Sequence, residues 1–340
     1  MTKPDASVTQ PHSDKEKRPF FLHTRPAAYA ALIFALAIGV CYALAMCRDF
    51  DFTIGHFALD SIPFHIAAVL CGIGVFAALI AYFSSGTKIL DPLPEPGTLS
   101  VFAGLLSAAM CLVILYQAIR DRAAAIPEKL VSPENLFLFS ALAGLFLAAS
   151  VILGLFPENR GMKTIPSVCA VLGALSVNLA MFACYFNFTV PLNSPVRNLT
   201  TLMQAAILLF LFSEARLTLV KGPKELPVPF QIATQYAAVV LGLGISLGGI
   251  LWRLLRTVSA AFEPYSPLTA GPDPTLPLPR LVLYFALSLL ALDRLLAGSK
   301  VIRSLTKEEI EEAERKAKEE KERKKRKKKG EAEPETKSEE

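Results

Sequence analysis

"IPFHIAAVLCGIGVFAALIAYF", residues 62–83, contains no Asp, Glu, Lys or Arg. Wound as an α-helix it covers about 33 Å, slightly more than the roughly 30 Å of hydrocarbon in a bilayer. A helix on a soluble protein keeps a polar face, and this run has none of the charges that would build one. Inside hydrocarbon the backbone can bond only within its own segment, so the stretch reads as a membrane-spanning helix.

Seven further runs share its character: Ala27–Met46, Thr98–Ala118, Leu136–Phe156, Pro166–Phe186, Leu199–Val220, Pro229–Trp252 and Leu278–Gly298. The chain is 53% hydrophobic and 19% charged, with the charges gathered at its two ends. That distribution excludes an ordinary soluble domain. The expected fold is all-α, a polytopic membrane helix bundle of about eight transmembrane helices with a charged cytoplasmic C-terminal helix. Linkers such as "DPLPEPG" (91–97) and "FEPYSPLTAGPDPTLPLP" (262–279) carry helix breakers and are too short to fold separately. Residues 1–26 form a polar N-terminal tail, 27–298 the transmembrane domain, and 299–340 a charged tail.

Eight spans put both termini on one side, and basic residues choose that side. Lys3, Lys15, Lys17, Arg18 and Arg25 precede the first span, and fifteen Lys and Arg follow Gly298. Both termini are therefore expected in the cytoplasm. Beyond Thr306, acid-before-base pairs such as Glu311/Arg315 and Glu319/Arg323 stand four residues apart and support a solvated helix to about residue 329. Disorder is expected after Gly330. "KERKKRKKK" (321–329) is a polybasic block suited to a solubilising tail, to anionic lipid head groups, or to RNA or an acidic protein partner. Besides these, the lipid bilayer is the expected partner.

Six cysteines lie in or at the edges of apolar runs without a C-x-x-C pair, and none of the four histidines has a second ligand at helical spacing. Neither a metal nor a cofactor is expected. Walker A, G-x-G-x-x-G, H-E-x-x-H and G-x-S-x-G sequences are absent, so an enzyme is not expected.

Polar residues inside spans are the candidates for function. Glu214, Arg216, Asp293 and Arg294 stand near the ends of the sixth and eighth spans, at similar expected depth. Glu214 and Arg216 are two positions apart and point to nearly opposite faces, so a partner must come from another helix. Glu214 with Arg294, or Arg216 with Asp293, would clamp the two spans; the competing reading has all four reach out to the head groups. Asn178 and Gln204 are expected to make interhelical hydrogen bonds. Gly244 and Gly248 permit close helix approach. In "ACYFNFTVPLNSPVRNL" (183–199), Asn193 and Ser194 are expected to satisfy an external turn locally, with a ligand contact at Asn193 as the alternative, and Arg197 to anchor the next span at the outer head groups.

The run "VPLNSPVRNLTTLMQAAILLFLFSEARLTL" (190–219) resembles a group of multi-pass membrane proteins of anaerobic Gram-positive bacteria of the clostridial type. Val190, Pro191, Asn193, Ser194 and Pro195 match their loop, and Glu214 and Arg216 their helix ending. That group has no assigned activity, so the resemblance implies a bacterial cytoplasmic membrane and nothing about catalysis. The functional expectation is a non-enzymatic assembly, sensory or scaffold component. A small-solute secondary transporter is the alternative, and an intramembrane enzyme the third reading. Tags placed at the two ends should both be protected in intact cells and both accessible in inverted vesicles; opposite behaviour of the two would overturn the eight-span topology.

Overall fold

The computed structural model describes residues 25–52, 54–84, 88–90, 96–124, 132–155, 164–186, 193–219, 228–258, 275–304 and 315. The polybasic block, the helix expected beyond Thr306 and nearly all of the N-terminal tail lie outside the described residues. Helices α1 (Arg25–Arg48), α2 (Ile62–Ser84), α3 (Thr98–Ala124), α4 (Pro133–Gly154), α5 (Thr164–Tyr185) and α6 (Pro195–Leu219) are each one span. The seventh span is composite: α7 (Val228–Ala237), a π-helical segment (Ala238–Leu243) and α8 (Gly244–Val258). The last is α9 (Leu278–Val301). Among the described residues, eight helical spans are long and apolar enough to cross a membrane, and the chain is an integral, multi-pass membrane protein.

Two small antiparallel strand pairs mark the ends of the bundle. Strands β1 (Phe50–Asp51) and β2 (His56–Phe57) form a hairpin between α1 and α2, with Gly55 at φ 71° in its turn. Strand β3 (Lys88–Leu90), between α2 and α3, pairs with β4 (Ile302–Ser304), which follows α9 directly. The end carrying β3 and β4 is called the tail face, and the end carrying the hairpin the distal face. Local chemistry sets the helix starts where it can be read. Ser132 accepts a hydrogen bond from Asn135 N at 3.2 Å, Pro133 opens α4, and Glu134 lies in its first turn.

Burial ranks the spans. In α2 only 28% of the spanning residues are enclosed, against 56% in α6, 67% in the composite span and 61% in α9. The last three therefore form the centre, and Val69, Ile73, Phe76, Leu79 and Ile80 of α2 stand exposed. In water such a surface would aggregate, whereas in hydrocarbon it is the low-cost arrangement.

Lipid tails are as apolar as leucine, so helices associate in a bilayer through close packing and interhelical hydrogen bonds. Two contacts show the first. A Cβ built on Gly248 would stand 2.9 Å from the Gly39 carbonyl of α1, and one on Gly244 would stand 3.1 Å from the Ala35 carbonyl. Likewise a Cβ on Gly173 of α5 would lie 2.7 Å from the Leu147 Cα of α4. At Gly173 the nearest obstacle is backbone and the helices themselves would have to separate, whereas at Gly244 and Gly248 the Ile38 and Tyr42 side chains stand nearer still. Gly173→Ala should therefore lower stability by about 1–3 kcal/mol, whereas Gly72→Ala, with nothing within 4 Å, should be neutral or stabilising. Denaturation of the two variants in detergent micelles, compared with wild type, checks both signs.

Candidate functional site

At the tail face the acidic and basic residues of α6 and α9 meet. Arg294 Nε lies 3.3 Å from Glu214 Oε2, with side chains 13% and 18% exposed. The contact is an ion pair without the alignment of a hydrogen bond, and Glu214 Oε1 has no partner. Arg216, two residues further on, is exposed, as opposite helix faces require. Of the two pairings considered for these spans, the structure brings together Glu214 and Arg294.

Asp293 turns the other way. Its Oδ2 accepts hydrogen bonds from Ser100 Oγ at 2.5 Å and from Gly97 N at 3.0 Å, both at the start of α3. Among the described residues it makes no contact with Arg216. Adjacent residues on a helix point about 100° apart, so Asp293 and Arg294 face different neighbours. Together they fasten α9 to α3 on one side and to α6 on the other. Gly97 sits so close to this carboxylate that a Cβ there would meet it at 2.6 Å.

Gln231 of α7 is buried at the same end, 5% exposed, with neither amide atom bonded. The hydroxyl of Tyr236, one turn and a half further along, is also buried without a partner. Both lie inside an expected span, and their residue type was the signal available in the sequence.

The distal half holds a second polar cluster. Ser140 Oγ of α4 donates to the Ser176 carbonyl of α5 at 2.8 Å, and Ser176 Oγ donates back to the Ser140 carbonyl at 2.7 Å. Arg280, three residues into α9, donates from Nη1 to Ser140 Oγ at 3.2 Å and packs 4.5 Å from the centroid of the Phe137 ring. Deeper in, Gln204 Nε2 of α6 donates to the Tyr284 hydroxyl of α9 at 3.2 Å and approaches Cys184 Sγ at 3.8 Å. Gln204 is thus an interhelical tie. Asn178 is half-buried on α5 and makes no side-chain hydrogen bond among the described residues.

Sequence reasoning passed over Arg280, although it falls within the expected eighth span and its charge was the signal. The serine pair had none, because hydroxyls are common in membrane helices.

The loop before α6 differs from expectation at Ser194. Ser194 is fully buried and its Oγ donates 2.8 Å to the Gly55 carbonyl in the β1–β2 turn, so it bonds across the distal face and not within its own turn. Arg197 is 6% exposed and lies 5.3 Å from the centroid of the Tyr185 ring. α6 begins at Pro195, earlier than the apolar run, which puts Arg197 in its first turn and against Tyr185 of α5. A guanidinium is weakly hydrated and packs readily on an aromatic face. Asn193 is exposed.

Among the described residues no three of His, Cys, Asp and Glu come together as a metal site would require. The polar groups join helix to helix, and the Glu214–Arg294 pair joins opposite charges on α6 and α9. Reversing one charge, as in Glu214→Arg, leaves two cations side by side in a partly desolvated layer. It should cost on the order of 3–5 kcal/mol, and Arg294→Glu in the same chain should restore most of it. The yield of monodisperse protein by size-exclusion chromatography reads this; a double variant as poor as the single one would remove the pair as a stabilising contact. No protein-family model matches the chain, and neither curated proteins nor solved structures match it, so its function is inferred from its own residues.

Proposed function

We propose that this multi-pass membrane protein has a non-enzymatic role, as an assembly, sensory or scaffold component of its membrane. The supporting observation is the use made of the buried polar side chains. Glu214 pairs with Arg294, Asp293 takes the start of α3, Ser140 and Ser176 exchange hydrogen bonds, and Gln204 reaches Tyr284. Each contact joins two different spans. A nucleophile held beside a general base would be the mark of an intramembrane enzyme, and these contacts have a different logic.

In this reading both termini are cytoplasmic, the membrane is that of a bacterium of the clostridial type, and residues 321–329 dock anionic lipid or an acidic partner. Transport of a small solute is the second reading. It is favoured by one feature, the π segment at the centre of the composite span, since broken or irregular helices at mid-membrane recur in secondary transporters.

Reconstituted vesicles separate the two. A scaffold should leave the leak of small anions, cations and amino acids equal to that of protein-free vesicles, under an imposed proton or sodium gradient as well as without one. Gradient-driven uptake of any of them, lost in Gly242→Leu, would overturn the scaffold reading in favour of transport.

A further inference from the structure

The pairing of β3 with β4 decides where the charged tail leaves the protein. α9 is a central span, and its tail-side end lies beside the start of α3, where Asp293 takes Gly97 N and Ser100 Oγ. The helix stops at Val301, and at Ile302 the chain enters β4. There Ile302 stands opposite Leu90, Arg303 opposite Ile89 and Ser304 opposite Lys88. β3 runs from the α2 side toward α3, so its antiparallel partner carries the chain back the other way. The chain reaches Ser304 opposite Lys88, four residues after α2 ends at Ser84.

α2 is the span most open to lipid. Its tail-side end presents Tyr82 and Phe83 as exposed rings, and Tyr29 is exposed near the tail-side start of α1. Aromatic rings at the ends of spans collect at head-group level. The tail therefore sets out from the rim of the bundle, close to the membrane surface. Had α9 run on without the strand, it would have carried residue 321 about 30 Å clear of its own end, more than about three Debye lengths at physiological ionic strength.

Residues 306–329, for which the sequence predicts a helix, lie outside the described residues, and the order of their charges fits a tail laid outward along the membrane. Five acids and one base stand in 306–314, and eight of the nine residues in 321–329 are basic. Lys321 comes 17 residues after Ser304, which as a helix is about 25 Å, or roughly two helix diameters. The acids thus come first, nearest the protein, and the bases last, past the rim and over lipid. The cytoplasmic leaflet is anionic and attracts Lys and Arg that come within a Debye length. We propose that residues 321–329 dock on anionic lipid head groups beside α2, with the β3–β4 pair setting the direction of approach. The inference rests on the reading of the tail as cytoplasmic, and it chooses lipid over an acidic partner. A nucleic acid or an acidic protein would meet the block as well on an upright tail, whereas the route back to the rim brings it to one anionic surface, the membrane.

The test uses the full chain with a donor fluorophore joined to its C-terminus, reconstituted into vesicles that carry an acceptor dye on some head groups. Energy transfer should be at least about two-fold higher with about 30% phosphatidylglycerol than in phosphatidylcholine alone, and about 0.5 M sodium chloride should remove the difference. Lys325→Gln, Arg326→Gln, Lys327→Gln, Lys328→Gln and Lys329→Gln together should lose most of it while eluting from size exclusion as wild type does. Ile302→Ala, Ser304→Ala and Thr306→Ala together favour helix across the strand and let α9 run on upright, so their transfer should fall toward the neutral-vesicle level. Both leaflets of such vesicles have one composition, so docking is read whichever side the tail occupies, and the end tags read the side separately. Equal transfer in the two vesicles would overturn the proposal, as would a difference that survives high salt or the five Gln substitutions. Undiminished transfer in the Ala variant would overturn the part given to the strand pair. Displacement of the block from anionic vesicles by equimolar polyuridylate or polyglutamate would assign it to a nucleic acid or an acidic protein instead.

Discussion

A polar group left unmatched in hydrocarbon costs several kcal/mol, and this bundle is organised around that cost. Helix formation settles it for the backbone and leaves it open for the side chains. Each buried side chain that bonds across the interior does so to another span: Glu214 to α9, Asp293 to the start of α3, Ser140 to α5, Gln204 to α9. The same contacts determine which helices are neighbours. Since the lipid supplies no hydrophobic drive for helices to associate, these ties and the glycine contacts of α1 with α8 and of α4 with α5 have to hold the bundle together.

Much of this was legible in the residues. Eight apolar runs became eight spans, because length and the absence of charge are properties of each segment alone. Gly244 and Gly248 could be read as a close-approach face, and they meet α1. The approach of Glu214 to Arg294 could also be anticipated, since both stand a similar number of residues from the membrane edge and depth is conserved between neighbouring helices. Rotation about the helix axis is another matter. It is fixed by all neighbours together, so the partner of Asp293 could not be read from spacing, and neither could the reciprocal serine bonds. The start of α6 differs for a related reason: an apolar run begins at Leu199, but Pro195 suits the first turn of a helix, so the helix begins before the apolar run does.

The two ends of the bundle handle charge differently. At the tail face, both carboxylates of the central spans have partners outside their own helix, a guanidinium for Glu214 and a backbone N–H with a hydroxyl for Asp293. In the distal half, arginines pack against rings and carbonyls, Arg197 on Tyr185, Arg253 on Trp252 and the Leu276 carbonyl, and Arg280 on Phe137, and the Asp49 carboxylate accepts from Ser61 Oγ. Arginine suits such places because its charge is spread over a plane that stacks on aromatics and gives up its hydration more readily than an ammonium does. One contact of the tail face thus joins opposite charges, while three arginines of the distal half pack on aromatic faces.

Between the two ends lies the π segment, and its position has a structural reason. All six of its residues are buried, and it touches α1, α2, α6 and α9. A π turn inserts one extra residue and rotates everything after it relative to an uninterrupted helix. Without the insertion, α7 could not direct Gln231, Thr234 and Gln235 into the bundle while α8 turns Gly244 and Gly248 onto α1. The wider turn also brings Gly242 against the Ser288 hydroxyl, which donates to the Tyr284 carbonyl at 2.8 Å one turn earlier in its own helix. A Cβ at residue 242 would collide with that hydroxyl, so the irregular turn and the glycine are needed together. Any sliding of this span would have to displace four neighbouring helices at once. The segment thus acts here as a register adjustment that lets one span satisfy two different sets of neighbours.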